Sequence, residues 1–66
     1  MLVIKKQSLI DYSIEHHGKV VAWILKNHGF YTLRQDGFIL TFRRLIECKK
    51  WVKENSELLY IKDLIN

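Results

Sequence analysis

Between Ile10 and Phe42 the chain runs in short alternating stretches broken by three lone glycines, and that punctuation limits the fold more than any other feature. From Ile10 to His16 the alternation is strict: Ile10, Tyr12 and Ile14 are apolar, with Asp11, Ser13 and Glu15 between them. Period two over this length marks a strand with one buried face. Gly18, Gly29 and Gly37 each stand where a run ends, and glycine supplies the positive φ that tight hairpin turns require.

Turn assignments fix a pairing register. A two-residue turn at His17-Gly18 sets Ile14 opposite Val21, Tyr12 opposite Trp23 and Ile10 opposite Leu25. A three-residue loop, Asn27-His28-Gly29, puts glycine at the left-handed position of a bulged turn. It sets Leu25 opposite Tyr31 and Trp23 opposite Leu33. Asp36-Gly37 closes the next hairpin, so Leu33 meets Leu40 and Tyr31 meets Phe42. A helix over Val20 to His28, capped by Gly29, is the rival reading, but it produces no such agreement.

After Phe42 the period changes. Leu45, Cys48 and Val52 share one helical face, Trp51 lies at its margin, and Lys49, Lys50 and Lys53 point outward. The expected fold is therefore α+β: an antiparallel β-meander of about four strands over residues 9–43, with one helix over 44–54 packed across one face. Residues 1–8 extend the first strand or fray. Ser56 to Asn66 fits either a short helix or a final edge strand.

Sixty-six residues leave room for a single core and one domain, 1–66. Cys48 is the only cysteine, so no internal disulfide forms and a reducing cytoplasm is expected. No run approaches the ~18–20 apolar residues of a membrane span, and the start, MLVIKKQSLIDY, does not read as a signal peptide. Neither a membrane partner nor a small-molecule substrate is expected.

The chemistry of the chain points away from catalysis. His16 and His17 are neighbours on a strand and face opposite ways, and His28 lies at a turn, so no metal site is expected. Cys48 falls on the core side of its helix and behaves as a small hydrophobe. Asp11 and Glu15 stand about 13 Å apart along a strand, too far for a coupled pair. No glycine-rich phosphate loop occurs, and a chain this small has little room for a substrate cavity. No enzyme and no cofactor are expected.

Assigning one sheet face to the core leaves the other to function. On this register the outer face carries Asp11, Ser13 and Glu15, then Val20, Ala22, Ile24 and Lys26, then Phe30, Thr32 and Arg34, then Ile39, Thr41 and Arg43. Val20, Ile24, Phe30 and Ile39 make it more apolar than a solvated face needs. Either a terminus folds over it, or it is a surface with scattered apolar side chains, or it meets another protein, or its basic residues meet phosphates. The net charge of +4 favours a polyanion.

The run GFYTLRQDGFILTFRRLIECKKWV also resembles the three-stranded-sheet-plus-helix DNA-binding domain at the amino terminus of phage integrases, related to AP2-type domains. Gly29-Phe30-Tyr31, Asp36-Gly37, Phe42 and Glu47-Cys48-Lys49-Lys50-Trp51 carry that resemblance, over residues 29–52. It implies a sheet set into the major groove, with roles for Thr32, Arg34, Thr41 and Arg43. The leading expectation is a DNA-binding accessory protein of phage or mobile-element type that grips double-stranded DNA through Lys19, Lys26, Thr32, Arg34, Thr41 and Arg43. The alternative is a protein-interaction module, either a homodimer or a phage-encoded inhibitor of a host protein, using Val20, Ile24, Phe30 and Ile39.

Overall fold

The structure, a computed structural model, describes residues 2–59. Five strands, β1 (Leu2–Lys6), β2 (Asp11–His16), β3 (Lys19–Asn27), β4 (Phe30–Gln35) and β5 (Phe38–Phe42), precede one helix, α1 (Leu45–Glu54). The strands form one antiparallel sheet in the order β1-β2-β3-β4-β5, a continuous meander. The expected α+β meander with its covering helix is therefore present, with five strands in place of about four. The addition is β1, where Ile4 pairs with Ile14 and Leu2 with His16.

The turns explain why the sheet closes as it does. His17 and Gly18 have φ of 53° and 79°, and His28 and Gly29 have 51° and 80°. Positive φ at both central residues is the two-residue type I′ turn, whose twist matches that of the strands it joins. Asn27 accordingly pairs directly with Phe30, so the loop there has two residues and not the three expected.

That correction works together with a second one. Glu15 pairs with Val20, yet Ile14 pairs with Ala22, which leaves Val21 as an extra residue in β3. Such a bulge reverses the side-chain phase of everything beyond it. Ile24 therefore pairs with Tyr12 and Leu33, and Trp23 with Ser13 and Arg34. Ala22 and Ile24 enter the core, where Trp23 and Leu25 were expected. Ile10, also expected inside, is exposed in the β1–β2 connection. The phases of β2, β4 and β5 are as expected, because the bulge and the shorter loop cancel.

The bulge has its own support. Gln35 Nε2 donates to the carbonyl oxygen of Val21 at 3.1 Å and to that of Leu59 at 2.6 Å. One amide thus holds the distorted stretch of β3 and the segment after α1. Residues 56–59 are helical and Leu59 is buried, so the chain up to Leu59 lies on the helix side of the sheet. The rest of the tail expectation falls on residues 60–66, outside the described residues.

Helix α1 is ten residues long, too short to stand by propensity alone, so packing must hold it. Its N-cap is Arg44, which makes no side-chain capping bond, and at the other end Asn55 Nδ2 donates to the Trp51 carbonyl at 3.0 Å. Cys48 and Val52 press into the core beside Ile14, Ile24, Leu33 and Leu59. Trp51 closes the rim, stacked on Phe38 at 5.7 Å and tilted against Phe42 at 6.4 Å. Burial pushes the Cys48 thiol up from 9.0 to about 11, which leaves it protonated and unreactive near neutral pH.

Candidate functional site

With α1 covering one face, the opposite face of the sheet is the candidate site. Cross-strand partners share a face, so the pairing resolves it into rows. One row crosses all five strands: Lys5, Ser13, Trp23, Arg34 and Ile39. The next holds Asp11, Leu25, Thr32 and Thr41. Val3, Glu15 and Val20 lie beyond the first row, and Phe30 lies beyond the second, opposite Asn27.

The two halves of this face differ in chemistry. On β1 and β2 two polar pairs form within the chain, beside a buried Asp11 carboxylate oxygen that has no hydrogen-bond partner among the described residues. Lys5 Nζ lies 3.3 Å from a Glu15 carboxylate oxygen. Gln7 Nε2 donates to Ser13 Oγ at 2.8 Å. On β3 to β5 the middle of the face is Trp23, Leu25, Arg34 and Ile39. Trp23 is 45% exposed and Ile39 62%. Among the described residues no carboxylate pairs with Arg34. An open cleft of about 650 Å³ runs along these four side chains and ends at the Asp36-Gly37 turn, with Gln35 and Phe38 in its wall.

The phase reversal in β3 redistributes the expected site residues. Ile24, expected on the outer face, is 0% exposed at the centre of the core. Lys26 pairs with Tyr31 on the helix side, its ammonium 6.0 Å from the ring centroid. Lys19 precedes the bulge and pairs with His16 in the expected and the observed register alike, so it lies on the helix-side parity in both. Of the phosphate-contacting set, Lys26 therefore leaves the outer face and Lys19 lies off it, while Thr32, Arg34 and Thr41 stay on it and exposed Arg43 follows at the end of β5. Of the apolar set, Val20, Phe30 and Ile39 are exposed there.

Trp23 and Leu25 are the residues that sequence reasoning placed elsewhere. Their signal is weak, because β3 reads as apolar on both parities and only the turn lengths set its phase. Among the described residues no three His, Cys, Asp or Glu side chains gather as metal ligands. No described helix is long and apolar enough to cross a membrane. Comparison with known proteins adds no relative: no family model, curated protein or solved structure matches this chain.

Proposed function

We propose that the protein is a small non-catalytic binding module that docks a partner protein on the β3–β5 half of its outer face. The observation that carries this is Trp23, nearly half exposed in the middle of a sheet row and flanked by Arg34. Tryptophan and arginine are the residues most enriched where binding energy concentrates. A solvated face has no use for an indole in its middle row. The partner that fits presents a carboxylate to Arg34 and an apolar side chain to the cleft between Trp23 and Ile39.

A double-stranded DNA reading keeps one specific support, the run of Thr32, Arg34, Thr41 and Arg43 along β4 and β5. It is the weaker reading, since Lys19 and Lys26 lie off the face and Asp11 and Glu15 occupy its other half. One set of variants separates the two. Trp23→Ala and Arg34→Ala, both kept folded, are compared for retention of proteins from an extract of the source organism and for duplex binding at low salt. The docking reading predicts a partner retained by the wild type and lost from both variants, with no duplex binding. Duplex affinity that falls with salt at a slope of about −2, as two phosphate-bound arginines dictate, would transfer the face to DNA.

A further inference from the structure

The two edges of the sheet are unlike. β1 ends in Lys5 and Lys6, and lysines on an edge strand discourage pairing with another chain. β5 reads Phe-Ile-Leu-Thr-Phe, without a charge, a proline or a bulge. The two-residue turn makes Gln35 and Phe38 the first hydrogen-bonded pair of the hairpin, and bonded and non-bonded pairs then alternate. Leu40 and Phe42 therefore turn their backbone groups to β4, whereas Ile39 and Thr41 turn theirs to the open edge. Among the described residues nothing bonds to those outward groups.

We propose that β5 pairs antiparallel with β5 of a second copy of this chain, about a two-fold axis at Leu40, to make one sheet continuous across both copies. Self-complementarity favours a second copy over any other strand. With Leu40 facing its own counterpart, Ile39 meets the second copy's Thr41. Their outward N–H and C=O groups form four hydrogen bonds, two on each side of the axis. Phe38 meets the second copy's Phe42 on the helix side, an aromatic cross-strand pair. The same register carries charge complementarity. Asp36 falls opposite the second copy's Arg44 and next to its Arg43, and the symmetry repeats this contact at the other end. Asp36, Arg43 and Arg44 are exposed, and none has an ion-pair partner among the described residues. A two-fold contact of this kind closes on itself and stops at two copies, so the edge is capped without a route to fibres.

This inference does not rest on the outer-face reading, and its test separates the two. The full chain is studied by sedimentation equilibrium up to about 1 mM, because a five-residue ribbon is smaller than a standard interface. The wild type is expected at twice the 7.9 kDa chain mass. Thr41→Pro removes only an outward N–H, which an edge strand tolerates. It deletes two of the four bonds and weakens the dimer about 30-fold. Asp36→Asn keeps a turn-forming residue and weakens it about fivefold, an effect that fades in high salt. Ile39→Lys, at a position already exposed, provides a second edge block if Thr41→Pro loses its native circular dichroism. Trp23→Ala leaves the dimer unchanged. A wild-type monomer at about 1 mM overturns the proposal, as does a dimer indifferent to Thr41→Pro and Ile39→Lys, or one broken by Trp23→Ala.

Discussion

The two halves of the outer sheet face share one backbone plane and opposite chemical states. Over β1 and β2 two polar pairs form within the chain, Lys5 with Glu15 and Gln7 with Ser13, while one Asp11 carboxylate oxygen is buried with no hydrogen-bond partner among the described residues. Over β3 to β5 an indole, a leucine, an isoleucine and a guanidinium lie side by side, and the guanidinium has no acidic neighbour among the described residues. An exposed ion pair contributes little to stability, but it does satisfy its own surface. Trp23 and Arg34 have no equivalent arrangement within the described chain, and a partner that covered them would gain both apolar contact and a charge-assisted bond. Hydropathy alone treats this face as uniform, whereas the strand pairing separates its two halves.

Neighbouring residues of opposite phase, Trp23 and Ile24, separate the outer face from the core. Ile24→Asp places an unpaired carboxylate at a fully buried position. It should cost about 3–5 kcal/mol, enough to abolish the native near-ultraviolet circular dichroism of a domain this small. Trp23→Asp, one residue away, should keep a cooperative urea transition and cost about 1–2 kcal/mol, since a half-exposed side chain gives up less burial. A folded Ile24→Asp protein would reverse the phase of β3 and dismantle the account of the face.

Gln35→Ala comes next. It leaves the carbonyls of Val21 and Leu59 without their amide donor and should lower stability by about 2 kcal/mol in urea unfolding. Faster amide exchange near Val21 would show the bulge loosening first. Lys5→Ala probes the satisfied half: loss of one exposed pair should change stability by no more than about 0.5 kcal/mol and leave partner binding untouched. His28→Asn is smallest and opposite in sign. Asparagine adopts positive φ more readily than histidine, so the type I′ turn should gain a few tenths of a kcal/mol in thermal unfolding.

Cys48 supplies a check that is independent of both halves. Its thiol is raised to about 11, so a disulfide reagent at pH 8 should label the native protein far more slowly than the urea-unfolded chain. The raised value also sets a direction for stability. The unfolded thiol ionises first, so this contribution is whole below pH 9.0 and is lost as the pH climbs toward about 11. Rapid labelling of the folded protein would mean that α1 does not seal the core.

Much of this architecture is legible in the sequence, and the reasons are local. Strict alternation sets β2, the Asp36-Gly37 turn sets the β4–β5 hairpin, and the change of period after Phe42 marks α1 to within a residue of its ends. β3 is different. Lys19 to Asn27 carries Val20, Ala22 and Ile24 on one parity and Val21, Trp23 and Leu25 on the other, so its hydropathy has no preferred phase. A bulge at Val21 and a loop shorter by one residue then cancel, leaving the strands on either side in agreement while β3 lies reversed between them. The site inherits that error, which is why Trp23 was assigned to the core and Ile24 to the surface. Gln35, whose amide secures the bulge, acts across fourteen residues of chain, a separation no local pattern records.

The most direct test of the docking half is paired photo-crosslinking. A photoreactive phenylalanine derivative is placed at Trp23 in one protein and at Val3 in another, two exposed positions in opposite halves of the same face. Both are irradiated in an extract of the source organism. The account predicts a discrete crosslinked partner from the Trp23 position, removed by adding Arg34→Ala, and none from the Val3 position. Equal crosslinking from both positions, or crosslinking from Val3 alone, would contradict it.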